Sequence, residues 1–335
     1  MEDGGVKPAG EPSRAHWSAF GGLWTDRLDA LEEIDRRLVA KRILPADAEL
    51  LRDWVRNGYV VIRNAVPSTA LDAFSRDVER AWREGDERLK ATKRPGEYHP
   101  MTPEFRGMRL RVVDFYVYWP SALALMFADP IVHFLQLVFD RAPLAFQSLS
   151  FDEGSEQFMH QDTAFVVVNR PLELAASWVA LEDVEEGSGE LMYFEGSHRL
   201  EDFVFGGARK HWDPERDSQT VLNEYAQSLT ARAAERRLPL RRFRPSKGDA
   251  LIWSADLVHG GSQIADPART RRSLVTHYCP EDVDPHYFSY APGHRRRGTH
   301  KGCQYSSQHY VLEEAPSQTI APLRNRLWER LRGRR

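Results

Sequence analysis

From Leu144 to Val168 the chain reads LAFQSLSFDEGSEQFMHQDTAFVVV. Two short runs rich in Phe, Leu and Val flank an Asp-Glu-Gly-Ser turn signal, the texture of antiparallel strands rather than of a helix. The second run carries His160 and Asp162. If that run is a strand, residues i and i+2 project from one face, and the imidazole and the carboxylate point together into whatever that face encloses. Two of the three ligands of a metal ion would then stand side by side.

The same texture continues downstream. LAASWVAL (174–181), LMYFEG (191–196), DALIWSA (249–255) and RSLVTHYC (272–279) are runs of strand length bounded by Gly, Asp or Pro. They predict a sandwich or barrel of antiparallel strands. Upstream, apolar residues at three- and four-residue spacing predict helices over Asp26–Val39 and Ala46–Val55. A strand follows in NGYVVIRNAV (57–66), then a helix presenting Leu71, Phe74, Val78 and Trp82 with Ser68 as N-cap. A strand over Leu110–Val117 and a helix over Ser121–Phe139 complete this part. The organisation expected is a flexible leader, 1–20, and one domain, 21–335. That domain has a helical part at 21–140, a β core at about 141–285 and an irregular Arg-rich end at 286–335 with a short helix near Leu323–Leu331. A polar insertion at 204–242, helical around Thr220–Arg237, interrupts the core; its stripe of Val221, Leu222, Tyr225, Leu229 and Ala233 reads as a lid over the barrel mouth.

Composition narrows the partners. The 335 residues are 41% hydrophobic and 28% charged with a net charge of −3, which gives no electrostatic case for nucleic acid or an anionic membrane. The start lacks the basic and apolar regions of a signal peptide, and no run approaches the ~18 apolar residues of a span, so a cytoplasmic protein is expected. Cys279 and Cys303 read as reduced thiols. Nothing fixes an oligomeric state.

A third ligand follows 97 residues after Asp162, in GDALIWSADLVHGGSQ, where His259 lies just past a strand in a Gly-flanked site. Two histidines and one carboxylate on one face of an octahedral metal leave three positions open, the set expected of a non-haem Fe(II) oxygenase. Zinc is more often met by a closed tetrahedral set or by three ligands and a water. Twelve residues further on, Arg271 and Ser273 share one strand face while Arg272 shares the other with Leu274. An arginine fork and a hydroxyl suit a carboxylate. A second His-x-Asp, His211 and Asp213, sits in the polar insertion and reads as surface. Ser197 and His198 read as a structural turn, with a substrate-facing imidazole as the alternative. Arg109, Arg111, Asp114 and Tyr116 fit either a pocket lining or an ordinary half-buried strand. GHRRRGTHKG (293–302) reads as a solvated loop, with a polyanion site as the alternative.

The ordered set LRDWVRNGYVVIRNAV, FMHQDTAF, SWVALEDVEEGSGELMYFEGSHR, KGDALIWSADLVHGGS and RRSLVTHY, spread from about Leu51 to Tyr278, resembles the phytanoyl-CoA dioxygenase family of Fe(II)/2-oxoglutarate oxygenases. The resemblance implies a mainly β fold with flanking helices, built on a double-stranded β-helix, the cupin-like jelly roll. It implies iron ligands His160, Asp162 and His259, with Arg271 and Ser273 on the 2-oxoglutarate carboxylate and Trp178 lining the co-substrate pocket. The implied reaction consumes O₂ and 2-oxoglutarate, releases succinate and CO₂, and hydroxylates a small molecule. Asp162 disfavours the related halogenases, in which a small residue stands at the carboxylate position. A cupin-type isomerase or a non-catalytic binding module shares the fold, and an oxygenase acting on a macromolecule is a further alternative.

Overall fold

The computed structural model describes residues 15–94, 96–287 and 295–312. Its elements in chain order are α1 Ala30–Val39, α2 Pro45–Asn57, β1 Tyr59–Ile62, α3 Ser68–Glu84, β2 Asp86–Arg94, β3 Glu97–Met101, β4 Arg111–Val113, α4 Ser121–Met126 and α5 Asp129–Phe139. The core follows with β5 Pro143–Phe151, β6 Ala175–Ala180, β7 Leu191–Phe194, α6 Gln219–Glu235, β8 Leu240–Phe243, β9 Ala250–Ser254, β10 His259–Gly261, β11 Ser273–Pro280, β12 Gly298–His300 and β13 Cys303–Tyr305.

The strands form a ten-stranded sheet, β1-β9-β6-β11-β5-β4-β2-β3 with β13 attached to β5 and β12 to β13, and a three-stranded sheet, β10-β7-β8. Strand alternation divides the large sheet into two faces. Its outer face, with Val60, Val179, Ile252, Leu274 and Tyr278, packs with the buried stripes of the helices, including Leu71, Phe74, Val78 and Trp82 of α3. Its inner face carries Phe151, Trp178, Leu251, Trp253 and Val275 against Leu191, Tyr193 and Phe243 of the small sheet. The central strands β6 and β11 are buried along their whole length because both faces are covered. This is the expected double-stranded β-helix with helices on one side.

Several local expectations are corrected. The run around His160 is not a strand. His160 makes an isolated bridge to His259, and Asp162 opens a 3-10 turn. The backbone there bonds locally, with Val166 N–H donating to the Asp162 carbonyl, and to a side chain, the Tyr225 hydroxyl, instead of to a ladder. The part expected to be helical at 21–140 contributes the hairpin β2-β3, which widens the large sheet. The helix over Ser121–Phe139 breaks in two at Phe127 and Ala128, because Pro130 fits only the first turn of a helix and starts a new one. Ser68 is the first helical residue of α3 rather than its N-cap. Of the supposed leader, residues 15–20 are tied down: Trp17 Nε1–H donates to the Arg199 carbonyl and Ser18 Oγ to Asp202. Residues 286–335 are not uniformly irregular, since β12 and β13 form a hairpin there. The helix expected near Leu323–Leu331 lies outside the described residues. No helix among the described residues is long and apolar enough to cross a membrane.

The 204–242 segment packs beside the barrel rather than over the central cavity in this structure. Leu222, Tyr225, Leu229 and Ala233 of α6 are buried as its spacing predicts, but they pack with Ala164, Leu200, Phe205 and Val258, and no described residue of the segment lines the central cavity. The helix buttresses the loop that carries His160 and Asp162. Tyr225 makes that contact specific, its hydroxyl accepting from Gln161 N–H at 2.8 Å.

Candidate active site

His160 and His259 face each other as an antiparallel bridge, each N–H donating to the other's carbonyl at 2.8 and 2.9 Å. The two glycines after His259 permit the approach. A Cβ on Gly260 would lie 2.7 Å from the Gln157 carbonyl oxygen and one on Gly261 2.9 Å from the Glu156 nitrogen. Gly260→Ala is therefore expected to push the 157–160 segment away from β10 and to weaken divalent-metal binding at least tenfold with the protein still folded, measured by calorimetric Mn(II) titration. Unchanged affinity would mean that the segment gives way without moving His160.

Each imidazole is oriented by its own backbone. Nδ1 of His160 lies 2.8 Å from the Phe158 carbonyl and Nδ1 of His259 2.9 Å from the Leu257 carbonyl. A carbonyl only accepts, so both Nδ1 atoms carry the proton and both Nε2 atoms present lone pairs, the tautomer a metal ligand needs. Burial, reinforced by the neighbouring His259, pushes His160 down to about 3, which keeps it neutral.

Asp162 follows on the 3-10 turn. Its Oδ2 accepts from Trp253 Nε1–H at 2.8 Å, while Oδ1 lies 3.7 Å from His259 Nε2 and 3.5 Å from His277 Nε2. Burial opposes ionisation of this carboxyl, but the facing imidazoles of His259 and His277 outweigh it and hold the group below the usual carboxylate range. One ligand atom from each of His160, Asp162 and His259 falls within 4.8 Å of the others, all three residues being buried. A hard carboxylate oxygen and two imidazole nitrogens on one side, with a cavity on the other, fit a divalent first-row metal with open positions. A buried network stands behind the turn: Thr163 Oγ1 donates to Asp256, whose carboxylate pairs at 2.6 Å with Lys210, itself paired with Asp202.

The cavity, about 360 Å³, opens between the sheets. Arg271 enters it from just before β11. Its Nη1 donates to the Gly189 carbonyl at 3.1 Å, its guanidinium lies over the Phe151 and Trp178 rings, and its Nε has no hydrogen-bond partner among the described residues. Burial pushes its pKa down to about 10 despite nearby Glu190. The Ser273 hydroxyl, also fully buried, has no partner either. A buried cation with an unsatisfied Nε and a buried hydroxyl without a partner are what a carboxylate would satisfy. Arg272 points the other way, toward Glu79 and Glu182. Trp178 lines the cavity from β6.

Other sequence candidates separate cleanly. His198 is a structural residue: its Nε2–H donates to the Val55 carbonyl, and burial pushes it down to about 3. Ser197 Oγ donates to the Phe194 carbonyl and accepts from Val258 N–H. Asp213 is buried rather than on the surface and accepts from Glu215 N–H. Asp114 accepts from Ser148 N–H and Ser307 Oγ, and Tyr116 donates to the Ser306 carbonyl, so both pin the C-terminal segment. Of the 293–302 stretch, 293 and 294 lie outside the described residues, while Arg295 and Arg297 donate to backbone carbonyls. Arg111 lines the cavity and Arg109 instead pairs with Glu156. His277 and Trp253 are site residues that the sequence reading passed over. Both were findable from strand phase: His277 is six residues from Arg271 on the same face, and Ala176 stands opposite both His277 and Trp253.

A family model described as phytanoyl-CoA dioxygenase matches residues 54–273. No curated protein matches the chain. Among solved structures, the epimerase SnoN in complex with Fe³⁺, alpha ketoglutarate and nogalamycin RO aligns at 16% identity and a TM-score of 0.51, covering 72% of this chain and 86% of that one. The non-haem alpha-ketoglutarate-dependent carbocyclase SnoK from nogalamycin biosynthesis aligns at 17% and 0.51, covering 78% and 96%. EctD from S. alaskensis with 2-oxoglutarate and 5-hydroxyectoine aligns at 16% and 0.51, covering 79% and 89%. At these identities the likeness is one of fold.

Proposed function

The chain belongs to the phytanoyl-CoA dioxygenase family and is an enzyme of the Fe(II)/2-oxoglutarate oxygenase type, and from that premise we propose that it hydroxylates an unactivated C–H of a small molecule. The observation that carries this reading is the conjunction, in one cavity, of the His160, Asp162 and His259 ligand set with the buried guanidinium of Arg271, whose Nε has no hydrogen-bond partner among the described residues.

When bound, iron with 2-oxoglutarate supplies the oxidising power, O₂ and 2-oxoglutarate being consumed, succinate and CO₂ released, and a substrate C–H bond oxidised. The protein's share is placement. His160, Asp162 and His259 hold the metal, and the backbone carbonyls of Phe158 and Leu257 keep the two imidazoles in the ligating tautomer. Arg271 and Ser273 hold the far carboxylate of 2-oxoglutarate, with Trp178 beside them. Apolar walls, including Phe158, Phe165 and Val275, exclude water from the site. A volume near the lower end of the ~300–1,000 Å³ typical of small-molecule sites, shared with 2-oxoglutarate, favours a compact metabolite over a coenzyme A thioester lying wholly inside.

Anaerobic addition of Fe(II) and then 2-oxoglutarate to the wild-type protein is expected to give the weak visible absorption of a chelated ferrous pair. Air is expected to convert 2-oxoglutarate to succinate slowly without substrate and faster with a compact metabolite that fits. Absence of the band would overturn the oxygenase reading, and a band with no succinate under any condition would reduce the protein to a binding module.

A further inference from the structure

Arg271 has a counterpart. Arg111, the first residue of β4, stands opposite Phe151 of β5, which in turn stands opposite Ser273 of β11, so the three form one row on the inner face of the large sheet. Its side chain lines the cavity, and its Nε is buried without a hydrogen-bond partner among the described residues. Neighbouring arginines are neutralised: Arg109 by Glu156 at 3.0 Å and Arg106 by Glu79 at 2.5 Å. Arg111 has no such ion pair among the described residues. Burial lowers its pKa, and only the Tyr98 phenol works against that.

A buried guanidinium without an anion destabilises the fold unless a ligand supplies one. Arg271 is such a group, and Arg111, part-exposed but with a buried and unpaired Nε, is a second guanidinium without an ion pair on the same cavity, while 2-oxoglutarate has only one carboxylate to spare once its keto-acid end is on the metal. We propose that Arg111 is the anchor for a carboxylate on the substrate itself, an assignment that presupposes Arg271 as the 2-oxoglutarate clamp. The surroundings define the rest of the molecule. Tyr98 and Gln147, the latter hydrogen-bonded to Gln308, add polar atoms to the lining of the same cavity. Phe158 and Phe165 flank the His160 ring, each with its centroid 5.7 Å or 6.0 Å from another ring of the trio, and form an apolar wall beside the ligand set. The substrate is thus a monocarboxylic acid whose apolar body lies under those two rings, with its reacting C–H toward the metal.

The test uses heptanoate and 4-phenylbutyrate against their neutral primary amides, titrated into protein loaded with Zn(II) and saturating 2-oxoglutarate. Tryptophan fluorescence reads binding, since Trp178 and Trp253 line the cavity. The acids are expected to bind at least tenfold more tightly than the amides. Arg111→Gln is expected to abolish that preference while leaving 2-oxoglutarate affinity within twofold, and Arg111→Lys to retain part of it. Equal binding of acids and amides by the wild-type protein overturns the proposal without recourse to any variant. So does an Arg111→Gln protein that keeps the preference, or one that loses 2-oxoglutarate binding instead. The comparison is repeated on metal-free Arg271→Gln protein, where the co-substrate plays no part. Persistence of the acid preference there, with no ferrous 2-oxoglutarate band in the wild type, sinks the oxygenase reading alone; the converse pattern sinks the Arg111 anchor alone.

Discussion

Asp162→Ala and His259→Ala proteins are expected to lose divalent-metal affinity by more than a hundredfold and, with it, the ferrous 2-oxoglutarate band and all succinate formation. Removing a group that only orients a metal ligand costs about 10–100-fold in affinity, so removing a ligand from a three-ligand set must cost more. Thermal unfolding under nitrogen gives an independent readout. A metal at about 100 times its dissociation constant adds ~2.7 kcal/mol to the stability of a protein that binds it only when folded. Wild-type protein should gain that increment with Mn(II), and both variants should gain nothing. Asp162→Asn separates loss of the ligand from loss of the fold, because its amide oxygen can still accept from Trp253 Nε1–H while the charge is gone. It should match the wild type without metal and respond to metal weakly. An undiminished Mn(II) response in Asp162→Ala would reject the triad.

How far the sequence discloses this site depends on what holds each residue. Strand phase carries well, because its period of two is unforgiving: a one-residue slip would exchange the cavity-facing Arg271 with Arg272, which meets Glu79 and Glu182 outside. The helical stripe of α6 was equally legible, yet what it packs against was not. Periodicity names a buried face without naming its partner, and here the partner is the loop at Gln161. The pair His160 and Asp162 meets for a reason different from the one their spacing suggests. They come together through a bridge and a 3-10 turn, held by long-range partners such as Tyr225 and Trp253 that no local window contains. The hairpin β2-β3 escaped because Asp86–Arg94 is almost wholly polar, with only Leu89 and Ala91 to mark its buried face. His277 escaped as a site residue for a simpler cause, and for Arg111 a pocket lining and an ordinary half-buried strand both stayed open. Only the enclosure of the cavity turns each strand face into a site.

Arg271→Met should raise the 2-oxoglutarate concentration needed for half-saturation by tenfold or more and at the same time raise the stability of the ligand-free protein. The first effect follows from losing charge-assisted hydrogen bonds, each worth about 1.5–3 kcal/mol, to the far carboxylate of the co-substrate. The second follows from the same geometry read without ligand. The guanidinium is buried over the Phe151 and Trp178 rings with Nε unsatisfied, and Glu190 does not come within ion-pairing distance of it. Replacing a buried, uncompensated cation with an apolar chain of similar length removes a desolvation cost, which is the direction in which buried charges are commonly replaced without loss. Arg271→Lys keeps the charge but not the planar fork and should recover only part of the affinity. Arg272→Ala should change 2-oxoglutarate binding by less than about twofold, since a half-exposed pair with Glu182 and Glu79 contributes ~0–1 kcal/mol to stability and does not face the cavity. Calorimetric titration of 2-oxoglutarate into Mn(II)-loaded protein, beside thermal unfolding of the ligand-free forms, measures both arms. An Arg271→Met protein that is less stable without ligand would show that the guanidinium is a packing element, with the stacked rings depending on it. A ranking in which Arg272→Ala loses more affinity than Arg271→Met would move the clamp to the other face of the strand, where it could no longer act on a ligand in the cavity.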